Sequence, residues 1–262
     1  MEKIAKMLII ACFSLTLACL CLQSSAQIDP KSIAGIWLFD EGRGDTAKDS
    51  SRNANDGKIM GPEWFDEGKI GSALKFDGSD DYVDCGNDQS LNLTDQITFV
   101  AWVSHPPGTE GYVIIKNTQD DVTRQWGFLD YTSSGTMSFF CNTGNGREEL
   151  DWSGNIDDDK WHHMAFTVNN LDVELFIDGV SEGVKSLASK IDASDATTVW
   201  IGKRKPSNFP YTGLIDEVGI FSVVLSKDVI NRVMNEGLAR ISSAVFSADK
   251  LATSWAGIKN QH

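Results

Sequence analysis

Proline and histidine are scarce in this chain, and cysteine all but vanishes after its first 26 residues. Of 262 residues, 6 are Pro, 4 are His and 5 are Cys, and Cys12, Cys19 and Cys21 all fall near the start. With Cys85 and Cys141 alone beyond that point, neither a disulfide-dense scaffold nor a paired CxxC zinc site can be built. No histidine sits in an HExxH pattern, so a zinc-protease helix is excluded. His162 and His163 are adjacent, and in a strand they point to opposite faces and cannot share one metal. No G-x-S-x-G element occurs, and no cysteine lies beside a histidine. Basic residues are outnumbered, 23 Lys and Arg against 37 Asp and Glu, for a net charge of −14. Such a surface repels nucleic-acid phosphates and anionic lipid heads, which leaves neutral glycans and divalent cations as partners. After Leu22 no apolar run is long enough for a membrane span.

What is present begins with Lys3 and Lys6, then an apolar run from Met7 to Leu22, then Gln23-Ser24-Ser25-Ala26. A positive stretch, a short apolar stretch and a small-residue site read as a secretory signal peptide over residues 1–26. Export places Cys85 and Cys141 in an oxidising compartment, where an even pair argues for a disulfide; two small buried hydrophobes on separate strands are the alternative.

Short segments rich in β-branched and aromatic residues follow, near Ile33–Phe39, Ala73–Phe76, Tyr82–Cys85, Ile97–Ser104, Tyr112–Lys116, Trp126–Leu129, Met137–Cys141, Trp161–Val168, Val173–Ile177, Val199–Gly202 and Leu214–Phe221. Asp77-Gly78, Asn145-Gly146, Asn169-Asn170 and Asp178-Gly179 punctuate them with turn chemistry. Strands at this spacing without helical crossovers predict an all-β antiparallel sandwich over residues 27–240. One helix is expected from Lys227 to Glu236, capped by Ser226, with Asp228 in its first turn and Gly237 at its end. Leu251, Trp255 and Ile258 keep helical spacing in a tail over 241–262.

The blocks "GIWLFDEGRGDTAKDSSRNANDGKI", "GKIGSALKFDGSDDYVDCG", "QITFVAWV", "WHHMAFTV", "ELFIDG" and "FPYTGLIDEVGIFSVVLS" resemble, in that order, the laminin-G-like, concanavalin-A-like jelly-roll domains of bacterial secreted proteins. The resemblance implies a jelly roll, and a calcium ion held at the sandwich rim by an early loop and the "IDE" strand. Carried over, it assigns Asp49 and Asn53 from the loop and Asp216 or Glu217 from the strand, with Asp40 and Glu41 as secondary ligands. The oxygen-rich loop Asp49–Gly57 is itself suited to Ca²⁺, which takes six to eight oxygens; the alternative is that these side chains form Asx turns. The tail "VFSADKLATSWAGIKNQ" resembles a C-terminal segment of secreted laminin-G-like proteins, which implies sorting or anchoring; the alternative is a small docked helix.

Some glycan hydrolases share this sandwich, and a retaining one needs two carboxylates about 5 Å apart on one strand. The nearest pattern, Glu149-Leu150-Asp151, reaches Gly154 where a third carboxylate would stand. Aromatics are the remaining material for contact. Trp37, Trp102, Trp161 and Trp200 lie in apolar strands and are assigned to the core. Trp126, Trp152 and Tyr211, with Arg124, sit nearer polar segments and are assigned to sugar contacts, since an exposed ring matches the C–H face of a sugar. The sequence therefore predicts a secreted or cell-surface, non-catalytic module binding glycan or glycoprotein with calcium support. A glycan hydrolase and a surface-structural adhesion protein are the competing readings.

Overall fold

The structure, a computed structural model, describes residues 28–118, 124–131, 136–154, 156–203, 209–245 and residue 247. The segment assigned to a signal peptide and the stripe Leu251, Trp255, Ile258 lie outside these residues.

Two antiparallel sheets face each other. The first runs β14 (Val180–Ser186), β13 (Asp172–Ile177), β12 (Trp161–Asn169), β7 (Gln96–Ser104), β16 (Thr212–Phe221), β5 (Ala73–Asp77) and β4 (Glu63–Phe65), with β1 (Ile33–Trp37) also paired to β16. The second runs β11 (Gly146–Ser153), β10 (Thr136–Thr143), β9 (Arg124–Tyr131), β8 (Glu110–Asn117), β15 (Thr198–Ile201), β6 (Tyr82–Asp84), β3 (Gly57–Met60) and β2 (Thr46–Ala47). Alternation decides which side chains meet between the sheets. Ile97, Phe99, Ala101 and Val103 of β7, with Met164, Phe166 and Val168 of β12, face Phe128, Phe139 and Cys141 of the opposite sheet. Phe128 and Phe166 lie with ring centroids 4.5 Å apart.

A second apolar cluster covers the outer face of the first sheet. Val100, Ala165 and Phe176 pack there against Val229, Ile230 and Val233 of the helix Lys227–Glu236. Ser226 caps that helix by accepting from the Val229 amide, and Gly237 ends it at φ 78°. A second helical segment over residues 238–245 starts immediately, so the boundary expected at 240/241 falls inside it; Leu238, Ile241 and Val245 are buried.

Strands β11 and β14 were not expected, for a physical reason: their side chains are largely exposed, so neither shows an apolar face. They are edge strands. Val180 and Val184 are 58% and 57% exposed on β14, and a bulge with Gly183 at φ 102° plus the charges Glu182 and Lys185 blunts that edge.

The expected bridge between Cys85 and Cys141 is corrected: both thiols are free and buried. Cys141 is on β10 and Cys85 follows β6, four strands away in one sheet. At about 4.8 Å per strand that is about 19 Å, against the roughly 7 Å limit between bridged Cα atoms. Both fill the core as small hydrophobes, and burial pushes the Cys141 thiol to about 12. Reducing agent is therefore expected to leave the melting temperature unchanged. A bridge over this loop would contribute about 4 kcal/mol, so a drop of several degrees on reduction, read by calorimetry, would contradict the free-thiol state.

Candidate functional site

The loop after β1 carries the first expected ligands, and the structure commits them to the backbone. Asp49 Oδ1 accepts from the amides of Ile36 and Ser51 at 2.9 and 2.8 Å, and Oδ2 from Ser51 Oγ and the Asn55 amide at 2.6 and 2.8 Å. Asn53 donates through Nδ2 to the carbonyls of Ile33 and Ala34, both at 2.9 Å. Asn55, buried, donates to Ala34 O and Ser90 Oγ. The loop is thus laced to β1 by side chains that replace missing ladder partners. Its oxygens satisfy amide donors, the Asx-turn alternative, and none of these contacts brings Asp49 or Asn53 to β16.

Asp216 and Glu217 sit where β16 bulges between Asp216 and Gly219 against β7. Asp216 is fully buried; Oδ2 accepts from the Ile70 amide at 2.9 Å and Oδ1 from the Glu217 amide at 2.7 Å. Glu217 is 2% exposed at φ 50°; Oε2 accepts from the Leu238 amide, and Oε1 is buried with no hydrogen-bond partner. Asp40 lies beside them, accepting from the Ser72 amide at 3.0 Å. Burial raises Asp216 to about 8, with Glu217 and Asp40 adding repulsion, and raises Glu217 to about 7, with Asp40 again contributing.

Asp40 thus neighbours Asp216 and Glu217 at one rim, while Asp49 and Asn53 are spent on the backbone of β1 and of their own loop. Phe39, the residue before Asp40, is also left-handed at φ 56° and fully buried. Two non-glycine residues in that region, each costing on the order of 1–3 kcal/mol, flank one acidic site; strain of this kind collects where side chains are held for a task. The donor chemistry is that of a hard cation, all carboxylate oxygens with one buried and unpaired, although the three residues do not bring their oxygens all within 4.8 Å of one another. The amides of Ile70, Ser72 and Leu238 were not foreseen, because a backbone donor leaves no mark in the residue pattern. A second acidic group, Asp77, Asp80 and Asp81, brings its oxygens within 4.8 Å of one another in the β5–β6 turn. There, Asp81 accepts from the Asp77 amide and Asp77 from the Ser79 amide, at 2.9 and 2.8 Å.

The sugar-contact assignment of Trp126, Trp152 and Tyr211 is corrected. They are 3%, 3% and 0% exposed and belong to the central core. Trp152 Nε1 donates to the Gly183 carbonyl, tying β11 to β14, and Tyr211 Oη donates to the Ser104 carbonyl. Rings at such burial have no face to offer a sugar. Polar neighbours in sequence misled, because the second sheet buries both faces of β9, Gln125 included. Arg124 is half-buried on the same strand. Of the hydrolase-like carboxylates, Glu149 pairs with Arg147 at 2.8 Å and Asp151 accepts from Ser138 Oγ at 2.6 Å.

The two adjacent histidines separate as expected. His162 is held between Asp178 at 2.7 Å and Asp158 at 3.0 Å. His163 is 1% exposed, packs edge-on to Trp102 at 5.2 Å, and leaves Nδ1 without a partner.

Residues 77–231 match the profile of a family described as the Concanavalin A-like lectin/glucanases superfamily. Among curated proteins, Adhesion G-protein coupled receptor V1 of Danio rerio is 24% identical over 152 residues, 53% of this chain and 2% of the receptor. The chain thus spans about 2% of that relative's length. Among solved structures, the binding domain of Paraclostridial Mosquitocidal Protein 1 aligns with TM-score 0.63 and 17% identity over 79% of this chain and 52% of that chain. The Botulinum neurotoxin serotype D ligand binding domain in complex with N-acetylneuraminic acid aligns with TM-score 0.61 and 15% identity over 80% and 52%. The serotype G binding domain aligns with TM-score 0.61 and 14% identity over 77% and 50%. At these identities the likeness is one of fold.

Burial lowers His163 to about 4, with Lys69 acting the same way and Asp178 opposing. Its neutral form is therefore favoured in the folded state, and the stability it contributes is complete above its ordinary pKa of about 6.5. That contribution is lost as pH falls from about 6.5 through 4. A His163→Leu variant, which leaves no partner stranded, is expected to lose less stability than wild type between pH 7 and 4.5 in urea titrations. Parallel slopes would contradict this.

Proposed function

The chain belongs to the Concanavalin A-like lectin/glucanases superfamily, and on that premise we propose that it is a non-catalytic module that binds a glycan or glycoprotein outside the cell, with a calcium ion in support. The observation that carries the calcium half is Glu217. Its backbone is held left-handed and one carboxylate oxygen is buried without a partner, beside Asp216 and within the field of Asp40. Dehydrated carboxylates crowded in this way are costly unless a cation or a proton compensates them. Asp40, Asp216 and Glu217 would hold the ion, which would supply the positive charge that keeps buried carboxylates ionised at neutral pH.

The binding half is supported by the fold and by its structural neighbours, which are binding domains, one of them in complex with N-acetylneuraminic acid. Glu149 and Asp151, the pattern nearest to a hydrolytic pair, are tied to Arg147 and Ser138. Secretion follows from the signal-like residues 1–26, and glycans outside the cell are the partners an acidic, secreted sandwich meets.

Millimolar Ca²⁺ is expected to raise the melting temperature of the chain by about 5 °C or more. Asp216→Asn should abolish that rise. In EDTA at pH 8 the same variant should be more stable than wild type, because Asp216 is raised and its ionisation then opposes folding. No thermal response to Ca²⁺ removes the ion from the proposal. For the binding half, at least one glycan should be retained on an array probed with the labelled chain; release of reducing sugar from a polysaccharide panel would instead identify a hydrolase.

A further inference from the structure

A groove of about 410 Å³ opens at the end of the sandwich where β7 begins, lined by Asn92, Leu93, Thr94, Asp95, Gln96, Asn170 and Ser222. Its volume lies in the range of small-ligand sites. Five of the seven lining side chains are neutral amides or hydroxyls. Asp95, the one charge, pairs with Lys190 at 2.9 Å. No arginine or lysine lines the groove among the described residues.

Beneath its wall runs a polar chain that a sandwich core has no packing reason to contain. Lys116, fully buried, donates Nζ to the Thr197 carbonyl at 2.9 Å. Thr197 Oγ1 donates to Gln125 Oε1 at 3.1 Å, and both residues are fully buried. Gln125 Nε2 then donates to Asn92 Oδ1 at 2.7 Å and to the Leu93 carbonyl at 3.2 Å. Asn92 Nδ2 completes the chain on Asp195 Oδ1 at 2.6 Å. Burial lowers Lys116 to about 8, against the attraction of Asp195. Buried polar networks are costly unless fully satisfied, and when satisfied they fix the groups they end on. This one ends on Asn92 and Leu93, the groove wall. On the far side the Asn170 amide donates to the Asp95 carbonyl at 2.6 Å, with Asn170 left-handed at φ 57°. Between these fixed walls, the side chains of Thr94 and Gln96 make no hydrogen bond among the described residues.

We propose, building on the glycan-binding reading above, that this groove is the saccharide subsite, and that it takes an uncharged, hydroxyl-rich sugar without calcium in the contact. Thr94 and Gln96 supply the unspent donors and acceptors for sugar hydroxyls, and Asn92 and Asn170 frame them. An acidic sugar is disfavoured because no arginine or lysine lines the groove, and Lys190 beside it is already paired with Asp95. A calcium ion held at the Asp216 rim would not reach a ligand in the groove, for a geometric reason. Asp216 pairs with Trp102 near the far end of β7, whereas the groove begins at Gln96, six residues and about 20 Å away.

The test uses the full chain on an array of neutral hexose oligosaccharides and their sialylated counterparts, with and without EDTA at a temperature where the chelated protein stays folded. Neutral oligosaccharides should bind equally in both conditions. Thr94→Ala/Gln96→Ala should weaken them about tenfold, the loss expected for two hydrogen bonds, with an unchanged melting temperature. Neutral-glycan binding that survives the double variant overturns the groove and leaves the glycan reading standing. Binding lost in EDTA by folded protein, or confined to sialylated glycans, overturns the calcium-free or the uncharged part. No binding to any glycan overturns this inference and the reading beneath it together.

Discussion

Two sheets hide one apolar face each by pressing them together, and every other feature is positioned by that contact. Apolar burial contributes about 25 cal/mol per Å², and the interleaved rings of Phe99, Phe128, Phe139, Phe166 and Trp152 supply much of that area. Since neither sheet can shift by one residue without turning this face to water, register is fixed across the sixteen strands of the described residues. Register in turn sets the bulge in β16 and the start of β7, hence the place of the acidic rim and of the groove.

Strands that bury a face were legible because burial imprints alternation. Ile97 to Ser104 and Trp161 to Val168 are of this kind, and their boundaries agree with β7 and β12. Gly146–Ser153 and Val180–Ser186 were not, since edge pairing is made by backbone and asks little of the side chains. The helix Lys227–Glu236 was legible to its caps, because Ser226 and Gly237 each solve a local backbone problem.

The candidate sites were legible in part. Asp216 and Glu217 stand out because two consecutive carboxylates inside an apolar strand demand compensation. The loop Asp49–Asn55 carried the same oxygen-rich signature for another reason: a carboxylate that serves four backbone and hydroxyl donors and one that serves a cation look alike in one dimension. Trp126, Trp152 and Tyr211 were misread because sequence neighbours report local polarity, whereas the opposing sheet decides burial. The network from Lys116 to Asn92 joins residues 81 and 72 positions apart at its longest steps, and no local pattern records such a path.

The pairing of β1 with β16 matches Ile33 to Phe221 and Trp37 to Val218, joining an early strand to the last one in the sheet. Loop-closure entropy makes contacts of such separation the slow ones to form. Until the last strand has been made, Ile33 and Trp37 lack the partners that seat β1 in its sheet. A sheet seamed between its first strand and its last is therefore completed only when synthesis is nearly over.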